Sequence, residues 1–207
     1  MLYRPQPLFL STQRLAKRRM ISGMKIYILG IDHEIQTLDG GRSTEEKAKF
    51  EKLLQRLISE HDIKFVGEET HPEKIAVAKL VASSLDIRWE PIEMSQQARK
   101  ELGIAEEQAT MRYEPIFENS LVVGSKHTRV PSDGIREEYM VWRTLTKAEE
   151  AQNILILCGF SHADELRQRF EKQGYQVTLD SLCNYPWYLH PDCPESEKSR
   201  HSKNDQP

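Results

Sequence analysis

The chain has 207 residues, with 29 basic and 32 acidic side chains and a formal net charge of −3 at pH 7. So small a charge argues against nucleic acid as the default partner, and the lack of any run of 18 apolar residues argues against a membrane-spanning helix. Cys158, Cys183 and Cys193 form no Cys-x-x-Cys pair, so we expect no cysteine zinc cluster, no disulfide framework and a reducing, cytoplasmic location.

The two ends of the chain differ in composition from the part between them. Residues 1–23 carry five basic side chains and no acidic one, and we predict a flexible leader that is either a transit peptide or an upstream extension. Residues 191–207 are polar and lack hydrophobic periodicity, so we predict a disordered tail in which Cys193 is incidental. The folded domain is therefore expected over residues 24–190.

Within that domain the hydrophobic pattern alternates between strands and helices. Ser43 and Glu46 have the spacing of a capping box at a helix start, and Pro72 is placed like the first-turn proline of another helix. The pattern predicts strands over 25–30, 63–67, 87–92, 154–159 and 175–179, and helices over 43–60, 72–85, 94–102, 133–152 and 163–172. This alternation predicts a single α/β domain with a mainly parallel central sheet flanked by helices.

Histidines and carboxylates follow the predicted strands at the points where these end. His33 follows the first strand, Glu68 and Glu69 close the second, Glu93 follows the third, and His162 follows the fourth. Because ligands of an open parallel sheet bind beyond the carboxyl ends of its strands, we expect these side chains to gather at one edge.

Such a cluster fits two kinds of chemistry. His33, His162 and Glu68 could hold a divalent metal ion, and Mn, Co, Fe and Zn suit a mixed nitrogen and oxygen site equally. Alternatively, a histidine acts as general base and Glu68 or Glu69 orients it, with no cofactor. Either arrangement would activate water for attack on an ester, amide or phosphate. Cys158 lies inside an apolar run and is predicted to be a buried small hydrophobe rather than a nucleophile.

The helix predicted from residue 133 admits two interpretations. Arg136, Met140 and Arg143 share one face, which is typical of an ordinary amphipathic helix packed on the sheet. In the functional interpretation, Arg136 reaches the cluster from the first turn and pairs with a catalytic carboxylate or binds an anionic group.

The order of these motifs resembles a known superfamily. Gly30-Ile-Asp-His33, Glu68-Glu69, Arg136-Glu-Glu-Tyr-Met140 and Cys158-Gly-Phe-Ser-His162 occur in the order found in the superfamily that joins erythromycin esterases, ChaN-like proteins, TraB/PrgY-like proteins and the TIKI metalloproteases. The resemblance implies a metal-dependent or His/Glu-dependent hydrolase-like pocket. Esterase-like and ChaN-like members usually have Glu where this chain has Ile31, so macrolide hydrolysis is not carried over.

The sequence therefore predicts a hydrolase for a small-molecule or peptide-like substrate. In this prediction His33 and His162 are metal ligands or base, Glu68 or Glu69 is a ligand or orienting group, and Arg136 stabilises developing negative charge. Two non-catalytic alternatives stay open. The same edge could bind a small anionic ligand or nucleotide, or the protein could bind a partner through exposed aromatic side chains, for which the candidates are Trp142, Tyr185, Trp187 and Tyr188.

Overall fold

Strands and helices alternate along the chain as the hydrophobic pattern predicts. The structure, a computed structural model, describes residues 23–71, 73–104, 130–148, 151, 153–189 and 193. Its elements in chain order are β1 (Lys25–Ile31), α1 (His33–Gln36), α2 (Thr44–Glu60), β2 (Phe65–Glu68), α3 (Val77–Ser84), β3 (Arg88–Pro91), α4 (Gln96–Glu101), α5 (Pro131–Lys147), β4 (Asn153–Gly159), α6 (Phe160–Lys172), β5 (Gln176–Ser181) and a 3₁₀ turn (Leu182–Asn184). The predicted leader and tail lie outside the described residues, except for Gly23 and Cys193.

The five strands form one sheet in the order β3-β2-β4-β1-β5, and every neighbouring pair is parallel. The α/β fold with a parallel central sheet is thereby confirmed. β1 and β4 lie at its centre and are buried on both faces, as their apolar sequences predict. Ile31 at the end of β1 lies opposite Gly159 at the end of β4, so the segments that follow these two strands start side by side.

A hydrophobic core lies on each face of the sheet. On one face, Leu157 belongs to a cluster that includes Phe50 of α2. On the other face, Ile156 belongs to a cluster with Met140 of α5 and Phe170 of α6. Successive residues of a strand point to opposite faces, so the two sides of the carboxyl edge receive side chains from different helices.

The helix starts show which local signals are reliable. The capping box is present, since Ser43 Oγ accepts from the Glu46 N–H at 3.2 Å and the Glu46 carboxylate accepts from the Ser43 N–H at 3.0 Å. Helix α5 begins at Pro131 and ends at Lys147, earlier at both ends than the predicted 133–152. A proline at the first position of a helix costs no hydrogen bond, which accounts for the earlier start.

The helix predicted over 72–85 is shorter than expected. Helix α3 begins at Val77 and ends at Ser84, and Pro72 lies outside the described residues. A short antiparallel bridge between Thr37 and Ala76 precedes the helix, so the chain is still extended where the prediction had already started the helix.

The prediction for the cysteines was wrong in one respect. Cys193 is buried and forms a disulfide with Cys183, although we expected no disulfide and an incidental Cys193. Two cysteines ten residues apart carry no motif, because the backbone path that brings them together is not encoded in their spacing. Cys158 is free and buried, as predicted. Among the described residues, no helix is both long and apolar enough to cross a membrane.

Candidate functional site

Glu69 is the residue around which the carboxyl edge of the sheet is organised. It follows β2, and its backbone N–H donates to the Leu157 carbonyl of the neighbouring β4 at 2.8 Å. Its side-chain Oε2 accepts from the Gly159 N–H at 2.8 Å, and the residue is 4% exposed. The Glu69 carboxylate is therefore fixed against the end of β4, between the segments that follow the central strands.

Arg136 of α5 reaches this carboxylate from the helical layer, as in the functional interpretation of that helix. Its Nη2 donates to Glu69 Oε1 at 2.7 Å and also to Glu93, and its Nε donates to Glu93 at 3.4 Å. Nη1 lies 3.5 Å from Asp133. Burial opposes the charge of Arg136, but Glu93, Glu69 and Asp133 outweigh it and raise its pKa, so the guanidinium is a fixed cation.

His162 stands in the first turn of α6 and is buried beside the same pair. Its Nδ1 lies 2.9 Å from Glu137 Oε1, and Glu137 in turn is 3.4 Å from Arg169. Its Nε2 lies 3.2 Å from Arg136 Nη1 and 3.6 Å from Glu69 Oε1. His162 thus belongs to a buried ionic network, whose carboxylates come from α5 and from the segments that follow β2 and β3.

His33 approaches the same carboxylate from the solvent side. It begins α1, and its Nε2 lies 4.0 Å from Glu69 Oε1, while 59% of its side chain is exposed. Its ring lies against the end of β4, because a Cβ atom at Gly159 would come within 2.9 Å of His33 Nε2. The structure therefore brings His33, Glu69, Arg136 and His162 together, with both histidine Nε2 atoms directed towards one oxygen.

The charged neighbours determine the ionisation of Glu69. Burial alone would raise its pKa, but the attraction of His162, His33 and Arg136 and the hydrogen bond from Gly159 N–H lower it to about 2. Glu69 is therefore an anion at all ordinary pH values.

Glu68 lies on the other side of the sheet and does not join this group. Its Oε2 accepts from the indole N–H of Trp89 at 2.7 Å, and its Oε1 is 3.4 Å from Gln36 Nε2. Burial raises its pKa to about 8, and the two hydrogen bonds only partly offset that effect. Glu68 is therefore a neutral acid at pH 7, and among the described contacts it has none with His33 or His162.

The donors predicted for a metal ion do not fit one in this arrangement. Glu68 is turned away from both histidines, and His162 Nε2 and Glu69 Oε1 both face the guanidinium of Arg136. A divalent cation bound between those two atoms would meet the fixed positive charge of Arg136 at close range. Among the described residues, no group of three or more His, Cys, Asp or Glu side chains is arranged to hold a metal ion.

The aromatic segment after β5 packs back onto the sheet edge. Tyr188 is buried, and its hydroxyl donates to Asp32 Oδ2 at 3.1 Å. Arg42 binds the same carboxylate at 2.8 Å and lies over the Tyr188 ring at 5.0 Å. Asp32, the residue before His33, therefore anchors this segment beside the site. Leu189 is 73% exposed.

Two residues with a direct part in the geometry were not selected from the sequence. Gln36 lies three residues after His33, and its Oε1 is 2.5 Å from His33 Nδ1. Glu137 follows Arg136 and contacts His162. The i to i+3 spacing on a helix could have pointed to Gln36. No sequence signal distinguishes Glu137 from its neighbour Glu138 as the partner of a histidine in another helix.

Comparisons with known proteins add nothing to this picture: no protein-family model, curated protein or solved structure matches the chain. The resemblance to the erythromycin esterase and TraB-like superfamily stays a prediction.

Proposed function

We propose that the protein is a hydrolase in which His33, supported by Glu69, activates water for attack on an ester or amide of a small-molecule or peptide-like substrate. One observation carries the proposal. A solvent-exposed imidazole stands beside a buried carboxylate that stays ionised, with Nε2 4.0 Å from Glu69 Oε1. An exposed imidazole beside a fixed anion suits general-base catalysis, because the anion stabilises the imidazolium that forms.

The proton balance of this reaction is simple. Nε2 of His33 takes a proton from water while the water oxygen bonds to the carbonyl carbon of the substrate. The imidazolium that forms is stabilised by the negative charge of Glu69. When the carbon–oxygen or carbon–nitrogen bond breaks, the imidazolium returns the proton to the leaving group, and the base is restored.

Arg136 and His162 take a supporting role in this proposal rather than the charge-stabilising role expected from the sequence. Arg136 is 5% exposed, and each of its three guanidinium nitrogens already has an acceptor. A substrate oxyanion would have to displace one of those acceptors. We infer that Arg136 and His162 hold Glu69 ionised and in place beneath His33.

The proposed reaction is metal-free, and metal content tests that part directly. We expect no stoichiometric Mn, Co, Fe or Zn in the purified protein by mass spectrometry. Stoichiometric metal that is lost in the His33→Ala/His162→Ala double variant would overturn this part and place both histidines in one metal site.

Hydrolysis is tested with a panel of 4-nitrophenyl esters and fluorogenic peptide amides. We expect His33→Ala to lower kcat/KM by about 100-fold or more, the usual share of a general base. The matched control is His61→Ala, since His61 lies at the opposite edge of the sheet, where its ring stacks on Tyr27 at 4.0 Å. Equal activity in wild type and His33→Ala would refute the role of His33.

The non-catalytic alternatives are outcomes of the same work. A protein that cleaves nothing in the panel but is stabilised by nucleotides or small anions in a thermal-shift screen would be a ligand-binding domain. Capture of a partner that depends on Trp187, which is half-buried next to the exposed Leu189, would favour a binding protein.

We also propose a cytoplasmic location. The disulfide between Cys183 and Cys193 is the observation that argues against this location. Disulfides persist mainly in oxidising compartments. If the proposal is correct, Cys183 and Cys193 will react with a thiol reagent in protein isolated from cells without reductant. Blocked thiols at both positions would indicate an oxidising compartment.

A further inference from the structure

The orientation of the Gln36 side-chain amide is determined by a backbone carbonyl, which can act only as a hydrogen-bond acceptor. Gln36 is 2% exposed, and its Nε2 lies 3.1 Å from the backbone carbonyl oxygen of Glu69. A carbonyl oxygen can only accept a hydrogen bond, so the amide nitrogen must face it. The second N–H of that nitrogen faces Glu68 Oε1 at 3.4 Å.

This orientation places the amide oxygen of Gln36 against His33. Gln36 Oε1 lies 2.5 Å from His33 Nδ1 and, like the carbonyl, can only accept. The hydrogen of the neutral imidazole must therefore be on Nδ1, and the lone pair must be on Nε2. That is the nitrogen that stands 4.0 Å from Glu69 Oε1, on a side chain that is 59% exposed.

We propose that Gln36 is a positioning residue that fixes the tautomer of His33 and thereby presents Nε2 as the base. The role of His33 as a base rests on the proposed hydrolase function. The tautomer of His33 follows from the hydrogen bonds and does not depend on that function. The chain of hydrogen bonds starts at the backbone carbonyl of Glu69 and passes through the Gln36 amide to His33. The orientation of the His33 ring is therefore linked to the position of Glu69.

His162 provides an internal comparison for this assignment. Its Nδ1 is held by Glu137 at 2.9 Å, which is a carboxylate, whereas the Nδ1 of His33 is held by a neutral amide. Both histidines thus use Nδ1 for an internal partner and direct Nε2 towards Glu69. Gln36 orients the ring of His33 but not that of His162. A change at Gln36 should therefore affect the tautomer of His33 and leave His162 unaffected.

The experiment is a long-range ¹H–¹⁵N correlation spectrum of the ¹⁵N-labelled full chain, which reports the tautomer of each histidine. In the wild type we expect His33 to carry its hydrogen on Nδ1. In Gln36→Leu we expect a mixture of both tautomers at His33 and an unchanged His162 signal. Gln97→Leu is the matched control, because Gln97 is an exposed residue of α4 that hydrogen-bonds Glu101 and should leave both histidines unchanged.

The wild-type spectrum alone can overturn the inference, so the test is still possible if Gln36→Leu does not fold. Hydrogen on Nε2 of wild-type His33, or an unchanged His33 tautomer in Gln36→Leu, would refute it. With an active substrate, we expect Gln36→Leu to lower kcat about 10- to 100-fold with little change in KM. If the tautomer responds as expected but His33→Ala keeps full activity, the hydrolase proposal fails while the assignment of Gln36 stands.

Discussion

Glu68 and Glu69 are neighbours in sequence and nearly equal in burial, yet they belong to two different environments. Glu68 points to the side of the sheet with Trp89 and Gln36, where burial raises its pKa to about 8. Glu69 faces the side with His162, His33 and Arg136, and these neighbours lower its pKa to about 2 despite the same burial. The alternation of a single strand thus separates a neutral acid from a permanent anion.

This difference shows that burial by itself does not determine the state of a carboxyl group. Both groups lose solvent, and what decides is whether a cation has been brought to the same place. On the Glu69 side the attraction comes from His162, His33 and Arg136, and on the Glu68 side the neighbours are an indole and an amide, which are neutral. His33 touches both environments, through Gln36 on one side and through Glu69 on the other.

The largest expected effect comes from the same substitution made at the two positions. Glu69→Gln should lower the free energy of unfolding at pH 7 by about 3 kcal/mol, because it removes a charge from a buried ion pair. Both carboxylate oxygens of Glu69 accept hydrogen bonds, so the new NH₂ group would face a donor in either orientation. Glu68→Gln should cost less, about 1 to 2 kcal/mol, since a neutral amide replaces a neutral acid and only the long 3.4 Å hydrogen bond from Gln36 Nε2 has to be given up.

Urea denaturation of the two variants and the wild type measures this pair of values. The variants control for each other, because the side chain, the substitution and the burial are alike. Equal losses of stability would show that the charge of Glu69 is not held by Arg136 in the way the contacts indicate.

The next effect is the dependence of stability on pH, where the two residues should act in opposite directions. Glu68 binds its proton more tightly in the folded state, so its contribution is complete below pH 4.5 and is lost as the pH rises to about 8. Glu69 binds its proton more weakly in the folded state, so its contribution is complete above pH 4.5 and is lost as the pH falls to about 2. Each slope can reach about 1.4 kcal/mol per pH unit.

Thermal or urea unfolding between pH 3 and pH 9 tests these slopes. We expect Glu68→Gln to flatten the decline between pH 4.5 and pH 8 and Glu69→Gln to flatten the decline below pH 4.5. A wild-type profile that rises from pH 5 to pH 8, or an unchanged decline over that range in Glu68→Gln, would contradict the high pKa of Glu68.

A smaller, spectroscopic effect should report the ionisation of Glu68 alone. Its carboxyl accepts from the indole N–H of Trp89 at 2.7 Å, so loss of its proton places a negative charge next to that indole. We expect tryptophan fluorescence to change with an inflection near pH 8, the pKa of Glu68. The inflection should be absent in Trp89→Phe and in Glu68→Gln, whereas Trp187→Phe, the control, should keep it. An inflection that persists in Glu68→Gln would assign it to another group.

Much of the arrangement could be predicted from the sequence, because it depends on strand order and polarity. Apolar runs at the start and towards the end of the domain indicated the central strands, and the residues after them indicated the edge where His33, His162 and Glu69 meet. The part played by Arg136 was one of two interpretations of its helix. These features follow from periodicities that the sequence shows directly.

The remaining features could not be predicted from the sequence. They depend on which face of the sheet a residue takes at the end of a strand, or on packing between elements. The pattern treated Glu68 and Glu69 as equivalent, since a shift of one residue reverses the face and strand ends are uncertain by more than that. The partners that fix the histidines, Gln36 and Glu137, come from packing between elements rather than from spacing. The disulfide between Cys183 and Cys193 depends likewise on the path of the chain after β5.

The smallest expected effect on stability, and the most specific one for His33, comes from Gly159→Ala. A methyl group there would lie 2.9 Å from His33 Nε2 and 3.6 Å from Glu69 Oε2. The backbone at Gly159, with φ −57° and ψ 147°, suits alanine, and the His33 ring can move outwards, so the change in unfolding free energy should stay within about 1 kcal/mol. If His33 is the base, its displacement from Glu69 should lower kcat/KM by about 100-fold. The control is Gly134→Ala, where the nearest atom to the added methyl group is the side-chain Nη2 of Arg169 at 3.5 Å. A Gly159→Ala protein that is stable and fully active would show that the short separation of His33 from Glu69 has no part in the reaction. The Glu68 side and the Glu69 side of the carboxyl edge would then differ only in charge.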